Sequence, residues 1–436
     1  MKRTLCMIFI FLIISASLVS GFDFGVTIDN QTGFSMEEEI SVLQKDTAAL
    51  WVDSAIGDKL GITFQGSYTF DIERYFLMDV DALNFSGNFP VYKATPFSIG
   101  FSLGRIPFRD FTDLVIAHRA DGVELKFSLP FLAASLSAGY TGLLSKPRSS
   151  IIMSKTDLKN ISGETLFFAS PRLVEKLDVR FLEVFLRQDL FFSVIAQQDL
   201  RPASAFIKEG SAVFSNTLGG RLNTYYFGLG FSGPIYAGFY MKGYGYLETG
   251  KTLSFIDGAY SYTPIVSFLT GGELNYYNRR WLNTNLGIRF VYSSGDADSA
   301  SFFEGSTENK AVMFTPVSRP DIAEAFSPQL GNIFFAEIRG SLKPLSMLPV
   351  FITQNLQLEA KGISLFRSTT GPISETGIDP ASESKYLGTE IDGILNFRIT
   401  SDMGLSIQFG SFFPYAGTFL STAPLIVGKA NFAVSF

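Results

Sequence analysis

The sequence predicts an all-β fold: a transmembrane antiparallel β-barrel of about 18 strands, or about 16 on an alternative division, with no plug domain. Three observations predict it. Apolar residues alternate with small or polar ones at period two over most of the chain, the side-chain period of a strand. Hydrophobic residues make up 46% and aromatics 15%, with 45 Phe, while 17% are charged, against roughly 25% in an ordinary soluble domain. After the first residues, no stretch reaches the roughly 18 consecutive apolar residues of a spanning helix. Only helices and closed barrels satisfy every backbone group in lipid, so the barrel is what remains.

The N-terminus carries Lys2 and Arg3, an apolar run from Leu5 to Ile14, and small residues from Ser15 to Gly21. This is the pattern of a secretory signal peptide, too short for a span. Cleavage is expected after Ser20 or Gly21, leaving residues 1–21 as leader and 22–436 as barrel. Cys6 would go with the leader, so the mature chain would have no disulfide or thiolate chemistry. Losing Lys2 and Arg3 removes two positive charges and takes the formal net charge from −6 to −8. An acidic, Phe-rich chain is a poor partner for nucleic acid.

The first strand is expected at Phe22–Gln31, so close to the cleavage site that no plug precedes it. Strands follow at Ala48–Ile56 and Leu60–Asp71, joined through Gly57-Asp58, then at Arg74–Phe85 and Pro96–Gly104. In the last of these, Phe97, Ile99, Phe101 and Leu103 alternate with Ser98, Gly100, Ser102 and Gly104. Asp121–Ser128 and Phe131–Thr141 flank a Leu129-Pro130 turn. A long polar segment runs from Gly142 to Leu177, before strands at Asp178–Arg187 and Asp189–Gln198. After an irregular stretch from Asp199 to Gly220 come Arg221–Phe231, a Ser232-Gly233-Pro234 turn and Ile235–Leu247. Ala259–Tyr277 is one long strand, turned by Asn278-Arg279-Arg280 into Leu282–Ser293. A third irregular segment, Ser294–Leu330, precedes Gly331–Leu342 and Pro349–Phe366. Gly388–Thr400 and a final hairpin, Met403–Phe436, complete the barrel. With the N-terminus on the periplasmic side, the long segments beginning at Gly142, Asp199, Ser294 and Arg367 all fall on the outer side. The short turns all fall on the other.

In the last strand Phe432, Val434 and Phe436 share the apolar face, and Lys429 lies on the other. A terminal aromatic preceded by alternating apolar residues resembles the C-terminal signal of bacterial outer-membrane barrels, with Asn431 where a glycine is usual. A second resemblance lies in the stretch Arg105-Ile106-Pro107-Phe108-Arg109-Asp110-Phe111-Thr112-Asp113, followed by His118-Arg119-Ala120-Asp121-Gly122-Val123. A Gly-Arg pair ending a strand, an Asp a few residues on and an Asp-Gly-Val opening the next strand resemble a feature of outer-membrane porins of the sugar, amino-acid and alginate type. That family commonly folds a loop near here into the lumen. The resemblance implies that Arg105, Arg109, Asp110, Asp113, Arg119 and Asp121 line a constriction whose mixed charge selects solutes. It also implies outer-membrane lipid, the barrel assembly machinery and small hydrophilic solutes as partners, with a homotrimer as a possible assembly.

Other charges fall on the inward side of their strands: Glu124, Lys126, Glu183, Arg187, Arg289, Glu337, Arg339, Glu390, Asp392 and Arg398. An Arg or Lys facing lipid at mid-membrane would cost roughly 2–4 kcal/mol, so these are expected to line the pore. The aromatic runs Tyr225-Tyr226-Phe227 and Tyr276-Tyr277 are expected as interfacial girdles.

Enzymatic readings find little support. His118 is the single histidine, no serine sits in a nucleophile elbow, and the glycines are scattered rather than grouped as a phosphate loop. No cofactor and no metal are expected. The function expected is passive diffusion of small hydrophilic solutes across the outer membrane. Two other readings fit a barrel: a surface adhesin or antigen acting through the long outer loops, and a plugged transporter of hydrophobic compounds opening sideways into lipid.

Overall fold

The computed structural model describes residues 21–72, 76–92, 96–163, 167–299, 301–303, 310–348 and 354–436. The leader expected at residues 1–21 lies outside them except for Gly21, as do Arg74 and Pro349, the expected starts of two strands.

The chain forms one closed 18-stranded antiparallel sheet. The strands are β1 (Gly21–Met36), β2 (Ile40–Ile56), β3 (Leu60–Asp71), β4 (Leu77–Tyr92), β5 (Phe97–Arg109), β6 (Ala117–Leu129), β7 (Leu132–Tyr140), β8 (Arg172–Phe185) and β9 (Gln188–Asp199). They continue as β10 (Asn223–Tyr236), β11 (Phe239–Ile256), β12 (Ala259–Asn278), β13 (Thr284–Ser293), β14 (Ile333–Leu342), β15 (Leu356–Arg367), β16 (Tyr386–Arg398), β17 (Met403–Pro414) and β18 (Leu425–Ser435). Each strand pairs with its sequence neighbours, and β1 pairs with both β2 and β18. At the seam Ile28 faces Val434, and the backbones of Val26 and Phe436 exchange hydrogen bonds of 3.1 and 2.8 Å. No sheet edge is left at the seam, which is what lipid requires of a sheet.

The two faces of each strand follow the alternation in sequence. On β10, Tyr225, Phe227 and Leu229 are exposed, whereas Thr224 and Tyr226, alternating with them, are fully buried. Exposed Phe22, Phe24, Ile338 and Phe290 continue the outward apolar belt on other strands. Tyr226 is therefore not a girdle residue: it points into the lumen and donates a hydrogen bond to the Thr315 carbonyl.

Where the strands differ from expectation, the alternation is locally masked. β1 and β2 run on to Met36 and back from Ile40 because an outward polar cluster interrupts their apolar face. There Thr32 donates to Gln44 at 2.7 Å, and Gln44 donates to Asp46 at 3.0 Å. β8 starts at Arg172 because inward Val174 and outward Glu175 reverse the usual polarity. Between β10 and β11 the turn is Ala237-Gly238, not Ser232-Gly233-Pro234. Gly233 and Pro234 stay in the ladder opposite Met241 and Tyr240, next to a bulge. β13 starts at Thr284 because Leu282 and Asn283 occupy positive-φ turn positions.

The buried hydrophobic cluster lies inside the barrel, in its outer half. Lumen-facing Val174, Ile195, Tyr226 and Tyr246 pack with Ile106, Phe108 and Val115, and with Phe314 and Val317 from the β13–β14 connection. Burying a side chain of this size stabilises by roughly 1.5–3 kcal/mol. The outer segments are thus drawn into the barrel rather than standing above it.

Candidate functional site

The segment expected as a loop from Arg105 to Ala120 is a hairpin, with only residues 110–116 between β5 and β6. Its base is marked by two paired glycines, Gly104 and Gly122. Gly104 has φ +123°, and a Cβ there would lie 1.9 Å from the Leu83 carbonyl oxygen; one on Gly122 would lie 2.0 Å from the Ala138 carbonyl oxygen. Such close approach is open only to glycine. Above this level the hairpin leaves the wall. β5 pairs with β4 no further than Arg105 opposite Leu83, and β6 pairs with β7 no further than Asp121 opposite Tyr140. Ile106–Arg109 then pair only with Ala117–Ala120. The former inner face, Ile106 and Phe108, packs on the lumen wall. The former outer face, Arg105, Pro107, Arg109 and Arg119, turns towards the lumen.

Arg105 sits at the bend, nearly buried. It donates from Nε and Nη2 to the two carboxylate oxygens of Asp121 at 3.0 and 2.9 Å, and from Nη1 to Asp79 at 3.0 Å. Its Nη2 also reaches the Leu143 carbonyl at 3.1 Å. The bidentate pairing is the geometry a guanidinium makes best. Asp110 organises the tip from within. It is buried, and it accepts the N–H groups of Thr112, Val115 and Ile116 at 2.9, 3.1 and 2.9 Å and the Tyr246 hydroxyl at 2.7 Å. Asp113, at φ 60°, pairs with exposed Arg109 at 3.0 Å.

Wall lysines on β8 and β11 hold the tip. Lys176 donates to the Arg109 carbonyl at 2.7 Å and Lys242 to the Phe111 carbonyl at 2.8 Å. Phe111 stacks between Phe191 and Tyr246, with ring centres 5.2 and 5.3 Å away. The β13–β14 connection locks in beside it: Val317 N–H donates to the Val115 carbonyl and Ala117 N–H to Ser318 Oγ, both at 2.8 Å. That connection is itself pinned to the wall, because Glu390 accepts the N–H groups of Ala325 and Phe326 at 2.7 and 2.8 Å.

Between the hairpin and β4 lies a cavity of about 480 Å³. Arg105, Arg109, Arg119 and Arg148 face it, against Asp79 and Asp81. Arg119 pairs with Asp81 at 3.2 Å while half of its side chain stays exposed. Arg148, from the β7–β8 connection, donates to Ser67 at 3.2 Å and Thr69 at 3.1 Å on β3. His118 meets Ser150 at 3.1 Å. Of the six residues expected at a constriction, five lie on the hairpin's charged side, and Asp110 is instead internal to its tip. Asp79, Asp81, Arg148, Lys176 and Lys242 were not singled out by sequence. Each stands on another element, and only the inward fold brings it near.

The expected pore-lining charges divide into three groups. Glu124–Lys126 at 2.9 Å and Arg339–Glu273 at 3.2 Å are pairs on the inner wall. Arg289–Glu337 at 2.6 Å and Lys361–Asp392 at 3.2 Å carry carboxylates buried beneath the inward segments, as does Glu390. Glu183, Arg187 and Arg398 lie at the ends of their strands or in the turns that follow. Glu183 has positive φ at the irregularity of β8 between Phe181 and Phe185, Arg187 has positive φ in the β8–β9 turn, and Arg398 donates to the Thr400 and Ser401 carbonyls beyond β16. A strand's parity continues into its turn in sequence, but the backbone there no longer follows it. On β18, Phe432 lies opposite Asn30 and Val434 opposite Ile28, and Phe436 is exposed at the seam.

At the outer end of β8 and β9, the β7–β8 connection is fixed by a buried cluster of Asp157, Arg172, Asp199 and Arg201. Arg172–Asp157 is 2.6 Å, Arg201–Asp157 3.0 Å and Arg172–Asp199 3.3 Å. Burial alone would raise the Asp157 carboxyl; the two guanidiniums outweigh it and hold it below the ordinary range.

These features define the class of the fold: a closed 18-stranded antiparallel β-barrel with a charged hairpin folded into its lumen. Solved structures of the same architecture include the following three. Pseudomonas aeruginosa OpdO superposes with a TM-score of 0.59 at 10% identity, covering 97% of this chain and 99% of that one. Pseudomonas aeruginosa OccK2 (OpdF), solved in complex with glucuronate, gives 0.58 at 9% identity over 96% and 99%. Acinetobacter baumannii OccAB4 gives 0.54 at 11% over 96% and 98%. At these identities the likeness shows the fold. No protein-family model matches the sequence, and no curated protein matches it.

Proposed function

We propose that this protein is an outer-membrane channel for passive diffusion of small hydrophilic solutes, narrowed by the β5–β6 hairpin. The observation that carries the reading is the inward hairpin with its charged pocket, braced against the β8–β11 side of the wall by Lys176 and Lys242. A lumen crossed by a fixed, charged element sieves by size and orients by charge. Within the pocket Arg119 and Arg148 share the single buried carboxylate of Asp81, and this local surplus of positive charge favours anionic solutes such as carboxylates. In this reading residues 1–21 are the cleaved leader. The Phe432, Val434 and Phe436 face is what the barrel assembly machinery reads.

The test is single-channel recording of the refolded mature protein in a planar bilayer under a salt gradient. The reading expects open steps with a reversal potential on the anion side, moved towards cation selectivity by Arg119→Glu and Arg148→Glu. A folded, heat-modifiable barrel that passes no current would reject it.

A further inference from the structure

By folding inward, the hairpin leaves a gap in the barrel wall. The outer end of β4, Leu77–Ala82, pairs with β3 but has no partner on its β5 side. Beyond the gap, β7 stops at Tyr140. An open strand edge facing hydrocarbon is costly unless something covers it or a cavity lies behind it. Here the gap is crossed by the β7–β8 connection, folded on itself through a Ser145–Phe168 bridge. That connection meets β4 through side chains, not a ladder. Ser145 Oγ donates to Asp79 at 2.8 Å, and Arg105 ties Asp79 to the Leu143 carbonyl.

On the lipid side of this patch lies a groove of about 650 Å³. Outward Leu50, Phe64 and Met78 form its floor, and Leu143, Phe167 and Phe168 border it. Its inner end is Asp79, Val80 and Arg105, and the same three residues line the arginine pocket of the lumen. The Arg105–Asp79 ion pair therefore stands where an apolar groove on the outer face meets the arginine-lined pocket of the lumen.

We infer that this gap is a side portal binding single-chain anionic amphiphiles, alkyl carboxylates above all, with the tail in the groove and the head among Arg119 and Arg148. Charge complementarity selects the occupant. Arg119 and Arg148 share the single carboxylate of Asp81, so this end of the pocket holds one positive charge in surplus and attracts a carboxylate, while a neutral alkane gains nothing from it and an alkyl ammonium is repelled. The inference goes beyond solute diffusion along the barrel axis, and either can fail alone.

The experiment uses the mature protein in nanodiscs, irradiated with decanoate carrying a diazirine at its far carbon, with adducts mapped by peptide mass spectrometry. Adducts should concentrate on Met78, Leu143, Phe167 and Phe168 and disappear with excess decanoate but not with decyltrimethylammonium. Arg119→Ala with Arg148→Ala should weaken capture about tenfold, the effect of losing one charge-assisted hydrogen bond. Met78→Trp, which fills the groove and leaves Arg119 and Arg148 unaltered, should also block it, and heat modifiability reports folding of each variant. Labelling spread evenly around the apolar belt, or equal competition by the cationic analogue, would overturn the portal.

Discussion

Replacing Asp110 by alanine should loosen the constriction without opening the barrel. The carboxylate is buried and takes hydrogen bonds from the Thr112, Val115 and Ile116 N–H groups and the Tyr246 hydroxyl. Its removal leaves those donors unmatched inside the lumen, at about 1–3 kcal/mol each. Taking the low end for Val115 and Ile116 alone gives about 2 kcal/mol, or roughly a 30-fold rise in the population of displaced tips. The wall is spared because Ile106–Arg109 pair only within the hairpin. In single-channel records the variant should spend roughly 30-fold more time in a larger, noisier open level, and Asp110→Asn, which keeps one acceptor oxygen, should fall between. Wild-type noise and conductance from a folded Asp110→Ala barrel would refute the role given to this residue.

The remaining predictions concern the wall, the bend and the outer mouth. Ile338→Arg places a charge on the exposed apolar face of β14; it should cost roughly 2–4 kcal/mol, read as a lower urea midpoint for unfolding from bilayers, whereas Ser341→Arg on the inner face should cost less. Gly104→Val should fail to seat the hairpin, because its side chain would meet the Leu83 carbonyl; trypsin should then cut the tip in folded barrels. Arg172→Met should destabilise the outer end of β8 by about 3–5 kcal/mol, since it leaves buried carboxylates unpaired, lowering the temperature of the heat-modifiable transition. The folded pKa of Asp157 is depressed, so its contribution is present above the ordinary carboxylate pKa and is lost as pH falls through the lower, folded value. Protease protection of the β7–β8 connection should accordingly survive mild acid and fail only under strong acid.

Strand number and the position of the long connections were legible because the outward face of most strands is apolar and alternates with a polar or small inner face. Phe97, Ile99, Phe101 and Leu103 could be placed from spacing alone. The lumen obeys no such rule. Val174 and Ile195 face inward yet are apolar because inserted segments pack on them, and that inversion hid the start of β8. Asn30 and Asp46 face outward yet are polar, and they hid the length of β1 and β2. The hairpin's charges were visible as a group, but their partners were not. Asp79, Asp81, Lys176 and Lys242 become neighbours only after Gly104 and Gly122 let two strands leave the sheet. The gap left behind, with its groove, has no trace in local sequence at all.

The central claim is that the charged face of the hairpin lies in the conducting path. The most direct test is cysteine modification during recording, made simple by a sequence whose single cysteine is Cys6. Arg119→Cys and Arg148→Cys barrels would be exposed to a small methanethiosulfonate reagent while current is measured, with Ile338→Cys as the lipid-facing control. The account predicts an abrupt stepwise fall in conductance at positions 119 and 148, and none at 338. Complete modification of both lumen positions, verified by mass, with conductance unchanged would contradict it.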